Sequence, residues 1–298
     1  MTIVSAGEIL WDVFPDSERL GGASLNFAAH AARLGHRVIF LSAVGDDQRG
    51  RAARERAAAL GLPPEYIQEV RGAPTGIVTV RLDAAGLPDF TIHRPAAYDL
   101  LRVDDGCLAR IAAMMPDWIY YGTLYPAEPG PRAEMTKLME ALPRARRFYD
   151  INLRRNCWTP ELVAELLRRA HAVKLNEDEA AEIDAFSGRA YGSLEEFTAW
   201  WAGRLGWQAV AVTRGDRGCA VRIGRDYAEA PGRRVAVVDT VGAGDAFAAA
   251  FLHGLSLGWD AARTGDFANR LGALVASRAG GVPDWTPAEL EIQPESCR

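Results

Sequence analysis

Short apolar runs alternate with longer amphipathic segments along most of this chain. The apolar runs predict strands at 3–6, 38–44, 118–121, 148–151, 172–175 and 209–213. The amphipathic segments predict helices at 25–34, 48–60, 131–142, 160–170, 194–205, 243–257 and 260–279. Such βα repetition predicts a mostly parallel sheet with helices on both faces.

One stretch, residues 67–98, breaks this rhythm because it predicts no helix. Residues 76–82 and 89–94 alternate with period two, and residues 83–86 predict a turn. This pattern is typical of a β-hairpin that covers a surface, here the mouth of the sheet. No Pro/Gly-rich linker divides the chain, so we expect a single domain over all 298 residues. A small β-lid would come from roughly 10–20 and 67–98.

The composition is that of an ordinary globular protein, with 49% hydrophobic and 24% charged residues. The formal net charge is −5, so nothing favours nucleic-acid binding. No apolar stretch reaches the about 18 residues of a membrane span, and no signal peptide is visible. The four cysteines are far apart and the five histidines show no zinc spacing. We therefore expect reduced thiols in a cytoplasmic protein.

The most informative segment is 239–247, Asp-Thr-Val-Gly-Ala-Gly-Asp-Ala-Phe. A β-branched run at 234–238 predicts a strand before it, and a strong helix former follows. Free N–H groups at a helix start bind anions, so Gly242, Ala243 and Gly244 form a candidate phosphate cradle. Asp245 beside the cradle suits proton removal from a hydroxyl that attacks a phosphoryl group. The alternative is a tight turn with Asp245 as the helix N-cap.

A phosphate site in this chain cannot be a Walker A loop. The only lysines are Lys137 and Lys174, and neither follows a glycine. Amides, arginines or Lys174 must therefore bind the phosphates.

Candidate sugar contacts lie near the N-terminus. Gly21 and Gly22 open the first long helix, and Asn26 in its first turn offers the donor and acceptor that polyol hydroxyls need. Asp12 follows Trp11, and a carboxylate beside an aromatic ring is a common sugar-binding pair. The alternatives are a loop glycine pair before a helix and a solvated acid after a strand.

Further polar residues lie where predicted strands end. Asn176 and Glu179 are three apart on one helical face and could order water around Mg²⁺, or could simply cap the helix. Thr213, Gly215 and Gly218 lie between two strands and suit either an adenosine-phosphate loop or an ordinary hairpin.

The strand that ends near Asp150 continues into Asn152 and Arg154 at the expected ligand edge of the sheet. A buried pair between Asp150 and Arg154 is the alternative. Arg94 ends the lid hairpin, where it would contact sugar hydroxyls, a product phosphate or a substrate carboxylate.

In this order, these motifs resemble the ribokinase (PfkB) family of sugar kinases from Gly7 to about Pro283. Residues 7–61, 97–99 and 150–158 are most similar to bacterial fructokinases. The resemblance implies a three-layer α/β/α ribokinase-like core with a mostly parallel sheet and a β-lid. It also implies ATP as co-substrate with Mg²⁺.

The resemblance assigns roles residue by residue. It makes Asp245 the catalytic base and the amides of Gly242, Ala243 and Gly244 the anion hole. Sugar-binding positions match Asp12, Gly22 and Asn26. Nucleotide, metal and phosphate positions match Asn176, Glu179, Thr213, Gly215, Gly218 and Asn269. Many members use a monovalent cation such as K⁺ near residues matching Asp239 and Val241, with carbonyls from the loop around 279–281.

The resulting hypothesis is phosphorylation of D-fructose to fructose 6-phosphate. Alternatives are a kinase of 2-keto-3-deoxygluconate, of another sugar or of a nucleoside, and a non-catalytic sugar-binding protein. The spacer 155–157 and the tyrosine-rich strand 120–125 depart from the usual fructokinase pattern on the sugar side. We expect Asp245 to be a weak base at the helix start. Pairing of open lid edges predicts a homodimer.

Overall fold

The computed structural model describes residues 1–82 and 88–290. Its strands, in chain order, are β1 Thr2–Ala6, β2 Leu10–Val13, β3 Glu18–Gly21, β4 Arg37–Gly45, β5 Ile67–Val70, β6 Gly76–Leu82, β7 Pro88–Ile92, β8 Trp118–Tyr121, β9 Arg146–Asp150, β10 Ala172–Asn176, β11 Ala209–Thr213, β12 Cys219–Ile223 and β13 Asp226–Ala230. The α-helices are α1 Ala23–Arg33, α2 Gln48–Ala59, α3 Asp105–Ala113, α4 Pro129–Ala141, α5 Pro160–Arg169, α6 Glu177–Phe186, α7 Leu194–Leu205, α8 Ala243–Ser256 and α9 Ala261–Ala276.

A large mixed sheet forms the middle layer, with the strand order β13-β12-β11-β10-β9-β8-β1-β4-β5. The strands from β11 to β5 run parallel, and β12 and β13 add an antiparallel hairpin at one edge. The inner parallel strands are buried on both faces, which explains their continuous apolar runs. The α/β class and the mostly parallel sheet are confirmed.

Separate apolar cores cover the two faces of this sheet. One contains Phe27, Phe148 and Phe251 beneath α1 and α8. The other contains Tyr121 and Phe197. The arrangement is therefore the predicted α/β/α sandwich. Within the described residues, no helix is both long and apolar enough to cross a membrane.

A second, four-stranded sheet with the order β3-β2-β6-β7 forms the lid. The hairpin of β6 and β7 is present, with Val80 opposite Phe90, whereas the predicted turn at 83–86 lies outside the described residues. The lid is narrower than predicted, because β5 pairs with β4 in the main sheet. Ile67 is buried in the main core, so β5 belongs to the main sheet and not to the lid.

The strand predicted at 234–238 is wrong. Residues 231–240 contain no strand, and Val235, Val237 and Val238 are 39%, 63% and 62% exposed. The missed strand β13 already forms the sheet edge, so this β-branched run has no neighbour to pair with. Its backbone is held instead by the Ala276 carbonyl, which accepts from the Val238 and Asp239 N–H groups at 2.9 and 3.2 Å.

Candidate active site

The carboxyl ends of the parallel strands meet the first turns of α1 and α8 beneath the lid. Asn26 of α1 and Asp245 of α8 are hydrogen-bonded, although 219 residues separate them. Ligands bind at this edge in α/β sheets. The structure thus brings Asn26, a predicted sugar contact, into contact with Asp245, the predicted base.

The turn before α8 requires glycine at position 242. Gly242 has φ 79°, and a Cβ there would lie 2.3 Å from the Gly281 carbonyl oxygen. The first N–H groups of a helix lack partners within it. Among the described residues, the Gly242 and Gly244 N–H groups have no acceptor, while Ala243 N–H reaches the Thr240 carbonyl at 3.3 Å. An open anion cradle results.

Asp245 is the third residue of α8, so its interpretation as the N-cap is wrong; Gly242 is the N-cap. The carboxylate is 8% exposed, and its Oδ2 accepts a 2.8 Å bond from Asn26 Nδ2. Within the described chain, its Oδ1 accepts no hydrogen bond. Burial, reinforced by the charge of Asp150, raises the pKa of Asp245 to about 6. The expected weak base is therefore a stronger one, because burial outweighs the effect of the Asn26 bond.

A buried ion pair underlies the cradle. Lys174 Nζ lies 3.0 Å from Asp150 Oδ1, and the Tyr120 hydroxyl donates to Asp150 Oδ2 at 3.2 Å. The suggested Asp150–Arg154 pair is therefore wrong. Burial alone would lower the pKa of Lys174, but Asp150, with Glu179 and Asp245, holds it above its ordinary value. A Cβ on Gly244 would lie only 3.2 Å from Nζ, so this ammonium group stands beside the cradle.

The loop after β9 carries a guanidinium group toward the site. Asn152 has φ 45°, and the following Leu153 N–H donates to Glu179 Oε1 at 2.8 Å. The Arg154 side chain is exposed and has no hydrogen-bond or ion-pair partner in residues 1–82 and 88–290, although its carbonyl accepts from Cys157 N–H at 3.0 Å. Burial raises the pKa values of Glu8, Asp12 and Asp245, and the positive charge of Arg154 opposes this rise in each case.

Asn176 caps α6, as the structural alternative predicted. Its Oδ1 accepts from Glu179 N–H at 2.8 Å, and Glu179 Oε2 accepts from Asn176 N–H at 2.8 Å. Within the described residues, no cluster of three metal-ligating side chains exists. One carboxylate and one amide fit a Mg²⁺ ion that keeps most of its water and arrives with a nucleotide. Both roles are compatible, because carboxylate oxygens retain lone pairs.

The turn between β11 and β12 is a tight hairpin, as its glycines predicted. Gly215 and Gly218 have φ values of 60° and 94°, and a Cβ on Gly218 would lie 2.1 Å from the Ala230 carbonyl oxygen. Asn269 Nδ2 donates to the Ala230 and Pro231 carbonyls at 3.2 and 3.1 Å. Thr213 ends β11 beside this turn. These contacts fix the backbone where the turn meets the segment at 230–231.

Three exposed apolar residues near this turn could bind a ligand, and the sequence did not mark them as candidates. The segment after Pro231 runs from the hairpin turn to α8, and its valines at 235, 237 and 238 are exposed. The available signal was a β-branched run with no neighbouring predicted strand to pair with. Exposed apolar side chains beside an anion cradle suit a flat, apolar ligand group.

The sugar side is acidic. Half-buried Asp12 lies on β2, and a Cβ on Gly21 would lie 2.8 Å from its Oδ2. Burial raises the pKa of Asp12 to about 6 against the lowering effect of Arg154. Gly22 has φ 112°, and a Cβ there would lie 2.6 Å from the Glu8 carbonyl oxygen.

The Glu8 side chain itself is a buried acid that sequence reasoning missed. It is 3% exposed, and its carboxylate accepts from Ser24 N and Oγ at 3.3 Å.

Arg94 is committed to internal contacts. Its Nη2 and Nε lie 2.5 and 3.2 Å from the oxygens of Asp99, and Nη1 donates to the Leu124 carbonyl at 2.9 Å. This bidentate pair is half-buried and fixes the end of the lid hairpin.

Asp239 does not fit the monovalent cation that the resemblance implies. Its Oδ1 accepts from Val241 N–H at 3.0 Å, and its Oδ2 accepts from Gly280 N–H at 3.0 Å. Arg19 Nη1 of the lid also lies 2.6 Å from Oδ2. A guanidinium group therefore already neutralises this carboxylate.

His30 supports the loop that faces the cradle. Trp285 Nε1 donates to His30 Nδ1 at 3.0 Å, which leaves the ring proton on Nε2, 2.9 Å from the Gly281 carbonyl oxygen. His30 lies one helical turn beyond Asn26 on α1. Burial lowers the pKa of His30 to about 4, so the ring is neutral.

Comparisons with known proteins identify the family of this chain. The sequence profile described as "pfkB family carbohydrate kinase" matches residues 6–288. A fructokinase from Klebsiella pneumoniae is 34% identical over 264 residues, which cover 84% of this chain and 83% of that protein.

Solved structures share the fold. A fructokinase from Xylella fastidiosa with bound ATP gives a TM-score of 0.84 at 24% identity, covering 97% of this chain and 96% of that one. A 2-dehydro-3-deoxygluconokinase from Thermotoga maritima gives 0.86 at 19% identity, covering 97% of both chains. A fructokinase from Vibrio cholerae, with fructose, ADP and a calcium ion bound, gives 0.81 at 23% identity, covering 97% of both.

We predict that His30→Leu destabilises the protein in a pH-dependent way. The change leaves Trp285 N–H and the Gly281 carbonyl unpaired, which should cost about 2–4 kcal/mol at neutral pH. Unfolded histidine binds a proton below 6.5, whereas buried His30 does so only near 4, so the wild type loses stability as pH falls through this window. The variant has no such loss, so its deficit should shrink by about 2 kcal/mol at about pH 4.5.

Urea unfolding at both pH values measures this difference. His93→Gln is the control, because His93 is exposed on the lid and should change stability little at either pH. An equal deficit for His30→Leu at both pH values would contradict the buried neutral state of His30.

Proposed function

The chain belongs to the pfkB family of carbohydrate kinases, and we propose that it transfers the γ-phosphoryl group of ATP to D-fructose, giving fructose 6-phosphate. It is an ATP-dependent sugar kinase. The observation that carries the proposal is Asp245, a buried carboxylate with one free oxygen beside the open amides of α8. An intact base next to an intact anion cradle argues against a non-catalytic sugar-binding protein.

Phosphoryl transfer needs a proton acceptor and a way to spread charge. Asp245 Oδ1 would accept the proton of the attacking sugar hydroxyl while Oδ2 stays hydrogen-bonded to Asn26. The amides of Gly242, Ala243 and Gly244 would bind the transferring phosphoryl oxygens. These donors are held in place before the substrate arrives, which is the arrangement that stabilises developing charge best.

Two side-chain cations supplement the amides. Lys174 stays charged beside Gly244 through its pair with Asp150. Arg154, which lacks a partner in the described chain, would bind phosphate from the opposite side. Mg²⁺ bound with ATP would neutralise phosphate charge, and Asn176 and Glu179 would hold its water shell.

The nucleotide would lie along the groove between the 215–218 turn and α8. The exposed side chains of Val235, Val237 and Val238 offer an apolar surface for the adenine ring. Asn269 would act indirectly by fixing the backbone at Ala230 and Pro231, and Thr213 ends β11 next to the 215–218 turn.

The charges on the sugar side favour a neutral sugar over a keto acid. Ionised Asp12 would repel a substrate carboxylate at neutral pH, and Arg94 is already paired with Asp99. The partnerless Arg154 is needed for phosphate. Asp12, the backbone at Gly22 and the free Oδ1 of Asn26 are suited to hydroxyl groups, and Asn152 adds an amide at the rim. The fructokinase relative at 34% identity supports fructose.

We also propose that two copies pair through the lid. Strands β3 and β7 leave two open edges, and open edges tend to pair with another chain. A cytoplasmic location, where ATP is available and thiols stay reduced, fits the proposed reaction.

We expect Asp245→Asn to lower kcat at least about 10²-fold, because the amide keeps the Asn26 contact but cannot accept the proton. ADP release measures kcat, and calorimetric titration with a non-hydrolysable ATP analogue measures nucleotide affinity. Affinity should stay close to the wild-type value. Turnover near the wild-type rate would exclude Asp245 as the base.

The pH dependence of kcat/KM should show the ionisation of two carboxylic acids. Asp245 and Asp12 both have pKa values raised to about 6 by burial, and both must be ionised to act. Since kcat/KM follows the free enzyme, it should fall below about pH 6 with a slope that approaches two. Asp12→Asn should reduce this slope to one. A wild-type acid limb that begins only below about pH 5 would contradict the raised pKa values.

A sugar panel tests the substrate. With Mg-ATP, fructose should give the highest kcat/KM among fructose, ribose, glucose, adenosine and 2-keto-3-deoxygluconate, measured as ADP release. Asp245→Asn, purified identically, controls for contaminating kinases. A clear preference for the keto acid, or no activity with any ketohexose, would refute the fructose assignment and leave the family membership unaffected.

A further inference from the structure

We propose that Arg19 of the lid is a built-in cation that takes the place of a monovalent metal ion at Asp239, so that the kinase needs no K⁺. This inference rests on the proposed phosphoryl transfer. It also makes Arg19 a positioning residue, because the same guanidinium group joins the lid to the turn that forms the anion hole.

The ligands that a metal ion would need are already in use. Both oxygens of Asp239 accept backbone hydrogen bonds, and Oδ2 also contacts Arg19 Nη1 at 2.6 Å. The Gly281 carbonyl, in the loop that would add ligands, accepts from His30. A metal ion would have to displace Arg19 and reorient this carbonyl.

The position of Asp239 explains why a positive charge is needed there. Its carboxylate holds two turns together, one through Val241 N–H and one through Gly280 N–H. These turns lead directly into Gly242 and Gly281, whose backbones are in contact. The Asp239 side chain is only 15% exposed, and a half-buried carboxylate of this kind requires a partner charge.

Arg19 also reaches the sugar side. In the pairing of β2 with β3 it stands opposite Asp12, where its charge opposes the rise in the pKa of Asp12 that burial causes. The Phe14 ring lies 5.2 Å from its guanidinium carbon and helps to orient it. One lid side chain therefore contacts the phosphate-binding turn while it stands next to the sugar-binding acid.

Another ion pair between lid and core provides a matched control. Glu18, next to Arg19 on β3, pairs with Arg49 of α2 at 2.5 Å. The Arg49 side chain is 39% exposed and that of Arg19 45%, so loss of either removes a similar lid contact. Only the loss of Arg19 removes a charge from Asp239.

The experiment compares the wild type, Arg19→Ala and Arg49→Ala in choline chloride, KCl and guanidinium chloride at equal, non-denaturing ionic strength. Wild-type kcat should change less than about twofold among the salts. Arg19→Ala should lose about tenfold in choline, roughly 1.4 kcal/mol. It should recover in part with K⁺ or guanidinium, because either ion can enter the vacated space. Arg49→Ala should show no such rescue.

Thermal unfolding in the same salts provides a readout that is independent of turnover. K⁺ should raise the melting temperature of Arg19→Ala relative to choline and leave those of the wild type and Arg49→Ala unchanged. The melting temperatures test the role of Arg19 even if the chain phosphorylates no sugar. A wrong cation role can therefore be told apart from a wrong proposed function.

Four outcomes would overturn the inference. Strong K⁺ activation of the wild type would show that a metal ion acts despite Arg19. Full activity of Arg19→Ala in choline would show that no cation is needed. Loss of activity without rescue by K⁺ or guanidinium, or an equal loss in Arg49→Ala, would make Arg19 a lid anchor only.

Discussion

The close approach of two backbones, at Gly242 and Gly281, is the constraint on which the active end of this protein depends. No side chain fits at position 242, because a Cβ would stand 2.3 Å from the Gly281 oxygen. That contact fixes where α8 begins and so where its free N–H groups point. Three side chains stabilise this contact. His30 donates to the Gly281 carbonyl, and Asp239 accepts from the backbone of both turns. Asn26 packs against Gly281 and donates to Asp245.

Burial then sets the chemistry of the charged groups around this contact. Asp245 and Asp12 have pKa values near 6 because both are removed from water, whereas Lys174 stays charged because Asp150 accompanies it. A buried lysine without that carboxylate would tend to lose its proton. The burial that raises the pKa of Asp245 also makes Lys174 depend on Asp150, whose charge raises the pKa of Asp245 further.

Sequence reasoning succeeded where local pattern decides the outcome. Strands buried on both faces must be apolar throughout, so β1, β4, β8 and β11 were predictable, and the glycines of the 242–244 turn followed from the need for bare backbone. Sequence reasoning failed where the strands or side chains that pair are far apart in the chain. The run at 234–238 has strand composition but no neighbour, and β5 has lid-like polarity but pairs with β4. Likewise, spacing suggested Arg154 as the partner of Asp150, but the fold supplied Lys174.

The pairing of Arg19 with Asp239 is a contact that local sequence patterns do not reveal. The two residues are 220 positions apart, and nothing in either local sequence predicts their contact. Yet the contact changes what the motif around Asp239 can do, because a carboxylate that is already neutralised has little affinity left for a metal ion. A family motif therefore specifies which groups are present at a site, while residues outside the motif determine which of them remain available to a ligand. In this chain the residue that pairs with Asp239 comes from β3 of the second sheet, so the charge next to the 239–242 turn depends on where that strand lies.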